Sequence, residues 1–454
     1  MLATEQRLVA MAMSRTAGGS AVVPDETVNR AIADRPTLAA EQIDVVRRLC
    51  TAGQGVDAVV GVAGAGKTYT LAAARQAWEA SEYRVVGAAL AARAAAQLED
   101  GSGIPSTTLD RLLNGLERGD RLDEATVVVV DEAAMVGTRK LALLLDHAHQ
   151  TGAKVVLVGD HHQLAEIDAG GAFASLARRL AAAELQENRR QQEPWERAAL
   201  AELRHGDTDA ALAAYEVHGR LHTATSGFEL RNQLIDDWWA AEDAGQHTLL
   251  LAGRRSDVAD LNARARAKLY SVGRLRGDRV VVGDRSFVVG DRVLALRNDY
   301  DLGLLNGTLA TVTATDDNLG VLTVEADDGR TVRVPADYIT AGHLTYGYAM
   351  TIHKAQGTTV DRTFLLADHL LDRERAYSAL SRGCQRNDVY LADADDHRDG
   401  DRHLPEITPD DAAEFGRMLR GMNVKSMAID LRTVDLGLEP VVDRQVEHGV
   451  SIEP

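Results

Sequence analysis

At 454 residues the chain exceeds one ordinary domain of roughly 100–200 residues, so two large domains with an insert or tails are expected. Its 45% hydrophobic and 26% charged residues are those of a folded globular protein, which excludes general disorder. A net charge of −18 excludes a protein that coats nucleic acid over its whole surface, though not one with a local basic groove. No apolar run approaches the roughly 18 residues of a membrane span and no signal-peptide pattern opens the chain, so a cytoplasmic protein without membrane contact is expected. Cys50 and Cys384 have no metal-type spacing and read as buried thiols.

Residues 1–36 read as a lead-in: a short helix, a Gly/Pro-containing segment, and a second short helix near Val28. From Thr37 helical stretches alternate with the runs VDAVVGV (56–62), YRVVGAAL (83–90), TVVVVD (126–131) and AKVVLVGD (153–160). Such runs predict parallel strands buried on both faces, and the residues just after them are where an open α/β sheet binds ligands. A second alternating set follows with TLLLAGR (248–254), TFLLAD (363–368) and DVYLAD (388–393). Between them, about 280–338, short β-type segments with turns predict an inserted small barrel. The expected division is a lead-in at 1–36, α/β domains at 37–182 and 183–392, and a tail at 393–454. That tail starts with the charged stretch 393–401 and continues in one helical segment at 409–422.

The first run leads into Gly61-Val62-Ala63-Gly64-Ala65-Gly66-Lys67-Thr68 and then an Ala-rich helix, the strand–loop–helix setting of a Walker A phosphate loop. In it the glycines let backbone N–H groups curl around a β-phosphate. Lys67 reaches the β/γ oxygens and Thr68 ligates Mg²⁺. Asp131-Glu132 after four valines supplies the partner half, Asp131 for the metal and Glu132 to activate water. ATP with Mg²⁺ is the implied substrate and cofactor.

The remaining motifs resemble superfamily 1 helicases of the RecD-like, 5′→3′ branch over about residues 38–392, with closest similarity to the helicase portion of MobF/TraA-type conjugative relaxases. Leu38-Ala39-Ala40-Glu41-Gln42 looks like the Q motif, residues 85–98 and 106–113 like motifs Ia and Ib, and VVVVDEAAMVG like motif II. VVLVGDHHQLAEI resembles motif III, LQENRRQ motif IV, AMTIHKAQGTTVD motif V and RERAYSALSRG motif VI.

The resemblance implies an α/β fold of two RecA-like P-loop NTPase domains, parallel sheets flanked by helices, with an SH3-like β-barrel insert in the second. It implies that Gln42 reads the adenine, that Gly61, Gly64, Ala65, Gly66, Lys67, Thr68 and Tyr69 hold the nucleotide, and that Gln163 senses the γ-phosphate. Arg190 and Arg382, both expected on the second domain, would meet the phosphates, Arg382 as the arginine finger. Arg93, Thr107, Thr108, Thr351, His353, Lys354 and Gln356 would line the path of a single strand.

Three departures qualify the carry-over. Leu90-Ala91 stands where motif Ia commonly has a Pro-Thr-like pair, the segment 114–126 is short and lacks an aromatic wedge, and no histidine triad with a partner tyrosine is present. The expectation is therefore a motor without a nicking domain, more securely a translocase than an unwinding enzyme. Single-stranded DNA is the expected partner, with relaxase or transfer-complex proteins, as a monomer. The sequence does not separate DNA from RNA, nor an active motor from a loading or scaffold module. His161-His162 lacks a third ligand at metal spacing, and Trp238-Trp239 reads as core. Tyr346 and His353 are open between packing and stacking on a base.

Overall fold

The structure is a computed structural model describing residues 1–16, 18–164, 170–224, 226–277, 279–283, 285–368, 371–391, 419–420 and 425–430. Six strands, β1 (Val56–Gly61), β2 (Arg84–Ala89), β3 (Ser106–Thr108), β4 (Thr126–Val130), β5 (Lys154–Gly159) and β6 (Ala183–Leu185), form one parallel sheet in the order β3-β2-β4-β5-β1-β6. Every residue of β1, β4 and β5 is buried, because helices cover both faces. Asp57, charged within β1, is tolerated because Lys154 of β5 pairs with it at 2.6 Å.

The first helices do not form a separate lead-in. Leu8 and Ala12 of helix Leu2–Ser14 are fully buried in the core beside Leu141 and Leu145, while Val28 and Ala31 of helix Asp25–Ala33 join the core on the opposite face with Trp78. The expected domain change at residue 183 is also corrected. β6 pairs with β1, and the chain leaves the first sheet only after Leu185. A three-residue strand with only Leu185 buried carries no alternation or apolar run from which to recognise it.

The second parallel sheet joins β7 (Leu221–His222), β8 (Thr248–Ala252), β16 (Ala349–Thr351), β17 (Val360–Ala367) and β18 (Gly383–Leu391) in the order β16-β8-β17-β18-β7. Helices Gly227–Asp243 and Arg255–Ser271 cover one face, where Trp238 is core, and Pro194–His205, Thr208–Val217 and Arg373–Leu380 cover the other. Asp388 of β18, fully buried, ties the edge together by accepting from His222 at 3.1 Å and from Arg362 and Arg386 at 2.8 Å each.

Between β8 and β16 lie a hairpin of β9 (Val280–Val282) and β10 (Arg285–Phe287) and a five-stranded antiparallel sheet. Its members are β11 (Arg292–Ala295), β12 (Leu309–Asp316), β13 (Val321–Ala326), β14 (Thr331–Val334) and β15 (Leu344–Tyr346), in the order β14-β13-β12-β11-β15. The β module thus runs past Tyr338 to its closing strand, around a core of its own that includes Phe287, Val293, Leu322 and Tyr338. It is pinned to the second sheet by buried Asp291, which takes 2.8 Å bonds from Nε and a terminal nitrogen of Arg266 and a 2.9 Å bond from the Tyr348 hydroxyl.

The charged stretch 393–401 and most of the expected helix 409–422 lie outside the described residues. Nearer the C-terminus, Leu419 packs in the core of the second sheet and Met427 in that of the first, beside Asp430 paired with Arg178 and Arg179 at 3.0 and 2.8 Å. Among the described residues no helix is long and apolar enough to cross a membrane.

Candidate nucleotide and nucleic-acid site

The carboxyl ends of β1, β2, β4 and β5 open onto a cleft of about 430 Å³ between the two parallel sheets. Lys67, Thr68, Asp131, Glu132 and Gln163 line it from the first sheet's side. Arg190, Arg382, His353, Lys354 and Gln356 line it as well, and Arg93 and Gly307 close one end.

The phosphate loop has the shape its glycines allow. Gly64 and Gly66 adopt left-handed φ of +80° and +75°, and a Cβ on either would stand 2.5 Å from Arg190 Cβ or from Gln42 Nε2. Lys67 at the start of helix Lys67–Glu79 turns its ammonium back onto the carbonyls of Gly61 and Val62, at 3.0 and 3.3 Å. Those are weak neutral partners for a cation, and a phosphate would exceed them.

Asp131 caps β4, its carboxylate accepting from the Glu132 N–H at 2.9 Å. Burial and the adjacent Glu132 carboxylate push Asp131 up to about 6 against the pull of Lys67. Glu132 itself sits at φ +50°, a strained setting for a residue with a side chain, of the kind that gathers at functional sites. Two carboxylates crowded in a buried cleft beside Thr68 are a donor set suited to a hard divalent cation such as Mg²⁺.

Arg382 follows helix Arg373–Leu380, is 3% exposed, and points across the cleft with a terminal nitrogen 3.4 Å from Gln163 Oε1. Its Nε also donates to the Ser378 carbonyl at 2.7 Å, so it caps its own helix while facing the other domain. Burial and neighbouring Arg190 bring it down to about 10, which leaves it charged at neutral pH. Arg190, expected on the second domain, lies instead on the crossing segment after β6. There its guanidinium donates to the Ser381 carbonyl at 2.8 Å, and the preceding Arg189 N–H donates to the Gly64 carbonyl at 3.0 Å.

The other expected residues divide. Gln42 is buried, but its amide serves the protein: Nε2 donates to the Ala65 carbonyl and Oε1 accepts from the Ala39 N–H, both at 3.0 Å. Gly61 ends β1 and Ala65 is buried in the loop, neither of them lining the cleft, and Tyr69 is 36% exposed with its hydroxyl 2.7 Å from that of Thr37. Arg93 donates to the Gly307 carbonyl of the β module at 2.8 Å. Thr108 caps helix Leu109–Glu117 by accepting from the Arg111 N–H at 3.2 Å, beside Thr107 on edge strand β3.

Thr351 ends β16, and its carbonyl takes the N–H groups of Lys354 and Ala355. His353 and Lys354 are exposed, each depressed by burial of part of the side chain and by Arg375 and Arg255 respectively. Gln356 faces the chemistry instead, donating to Glu132 Oε2 at 3.3 Å. Tyr346 lies in β15 beneath Arg266, whose guanidinium carbon is 4.6 Å from the ring centre.

Sequence reasoning passed over Asp160, Arg204 and Tyr377. Asp160 closes β5 and is fully buried, and Arg204 lies 3.4 Å from it. The signal available was a charged residue directly after the apolar run VVLVG.

Comparison with known proteins finds relatives of this chain in sequence and in fold. Residues 37–226 match the AAA domain family. The conjugal transfer protein TraA of Rhizobium radiobacter is 43% identical over 74% of this chain, which spans only 31% of that protein's length. The RecBCD enzyme subunit RecD of Mycolicibacterium smegmatis is 32% identical over 75% of this chain and 69% of the relative. In fold, the Pif1 helicase from Candida albicans matches with a TM-score of 0.53 at 19% identity, covering 88% of this chain and 98% of that one.

Proposed function

The chain belongs to the RecD-like family of superfamily 1 helicases, and from that premise we propose that it hydrolyses ATP to move 5′→3′ along single-stranded DNA. The observation that carries the reading is the meeting in one cleft of Lys67, Thr68, Asp131 and Glu132 with Arg382, which comes from the other sheet. The two sheets with their helices act as two motor domains, and the antiparallel module between β8 and β16 is an SH3-like insert of the second.

Lys67 leaves the Gly61 and Val62 carbonyls for the β/γ-phosphates, and the loop's N–H groups hold the rest. Thr68 and Asp131 would hold Mg²⁺, which when bound neutralises charge on the phosphates. Glu132 orients and deprotonates the attacking water, and Gln356 steadies that carboxylate. Arg382 stabilises charge building on the γ-phosphate as the domains close. Gln163 reports the γ-phosphate by exchanging its contact with Arg382. Gln42 turns from the Ala65 carbonyl to the adenine, and Tyr69 flanks the base. Arg93, Thr107, Thr108, Thr351, His353 and Lys354 line the strand path.

Likeness to TraA proteins supports service in conjugative DNA transfer alongside relaxase or transfer-complex proteins, in the cytoplasm. ATP turnover with and without a single-stranded oligonucleotide tests the reading, with Lys67→Ala as control. Turnover raised by DNA and absent in the variant is expected. DNA binding with no turnover would overturn it in favour of a loading module.

A further inference from the structure

Tyr377 lies on helix Arg373–Leu380, five residues before Arg382, yet its hydroxyl reaches the first sheet's side of the cleft. The phenol oxygen accepts from the Ala63 N–H of the phosphate loop at 3.0 Å and donates to Asp160 Oδ2 at 3.1 Å. One hydroxyl can do both, having one proton and free lone pairs. All three groups are out of water: Tyr377 is 2% exposed, and Asp160 and Ala63 are buried likewise.

Asp160 is also held by the His162 N–H at 3.1 Å and by Arg204 of helix Pro194–His205 at 3.4 Å. Its backbone carbonyl accepts the Gln163 N–H at 3.1 Å, and the Gln163 side chain faces Arg382. The phosphate loop, the loop after β5 and the arginine-bearing helix therefore meet at a single oxygen.

We propose that Tyr377 is a positioning residue whose hydroxyl couples the phosphate loop and the γ-phosphate-sensing loop to the helix that aims Arg382. This rests on the ATPase reading above. Movement of the second domain against the first cannot leave the Ala63 amide and Asp160 undisturbed, because both bonds cross the cleft. Loop geometry and finger position thus change together. Packing alone would need only the ring, so removing the hydroxyl separates the two roles.

The test compares wild type, Tyr377→Phe and Asp160→Asn in two measurements. Amide hydrogen exchange in the segment 61–66 of nucleotide-free protein should rise by about tenfold in Tyr377→Phe, and in the same direction in Asp160→Asn. With single-stranded DNA present, Tyr377→Phe should lower kcat for ATP by about tenfold or more, with KM changed by less than about threefold. Unchanged exchange in Tyr377→Phe, or wild-type kcat, overturns the proposal. If wild type hydrolyses no ATP while exchange responds as stated, the ATPase reading fails and the linkage through Tyr377 stands.

Discussion

Arg382 makes contacts of opposite meaning: its own side of the cleft holds it through the Ser378 carbonyl and the Ser381 hydroxyl, and a second face reaches across the cleft to Gln163. If the second sets its role, Arg382→Ala should reduce DNA-stimulated turnover by about 10³–10⁵ while nucleotide affinity falls far less. If the first does, turnover stays near normal and only the melting point drops. Steady-state ATPase and thermal melting on the same variant read both.

Asp131 does not favour folding when ionised: its carboxyl stands at about 6, above the usual 3.8, because it is buried beside Glu132. A raised carboxyl penalises the folded chain when ionised, so this penalty is present above about pH 6 and relieved as pH falls through that value. Asp131→Asn should therefore raise the melting point of nucleotide-free protein at about pH 7.5, by roughly 1–3 kcal/mol in stability, and abolish hydrolysis. Melting across a range of about pH 5–8 checks the sign, because the gain should shrink toward the acid end.

That Lys67, Asp131 and Glu132 line one cleft was legible because each sits in one loop or at one strand end. The bonds of Tyr377 span 314 residues to Ala63 and 217 to Asp160, and no local pattern encodes such pairs.

Elements were readable in proportion to how fully they are buried. The valine runs of β1, β4 and β5 and the leucines of β8 are strands with both faces covered, and each stands where its run predicts. β6, β7, β15 and β16 have three residues or fewer and borrow their conformation from neighbours, so composition does not mark them. This is why the expected edge of the first domain falls one strand early and why Arg190 was expected inside the second domain.

The phosphate loop is a case where sequence spacing does fix conformation. Gly64→Ala would need a left-handed φ of +80° and a Cβ 2.5 Å from Arg190 Cβ. The loop must shift, so nucleotide binding and turnover should both be lost. The melting point should fall only modestly, as strain of about 1–3 kcal/mol requires. Wild-type affinity for nucleotide in equilibrium binding would contradict this account of the loop.

At the scale of the molecule, the two α/β units and an intervening β module were legible from alternation of apolar runs, but their joinery was not. Residues 1–16 contribute to the first core, the β module closes only at Tyr346, and the chain's last described residues touch both sheets. Met427 is fully buried in the first core, far in sequence from everything it packs against. Met427→Ala should cost roughly 2–5 kcal/mol in denaturant unfolding and leave single-strand affinity unchanged. A change under about 0.5 kcal/mol would mean the segment 425–430 is not held as described.

The central claim is directed movement driven by ATP, and it is read most directly by displacement of streptavidin from single-stranded DNA biotinylated at one end. Duplex opening, for which the segment 114–126 supplies no aromatic wedge, is not required. A 5′→3′ motor clears streptavidin from the 3′ end when ATP is present and leaves the 5′ end loaded, and Lys67→Ala clears neither. Clearance from the 5′ end, or from neither end by the wild-type protein, would contradict the account.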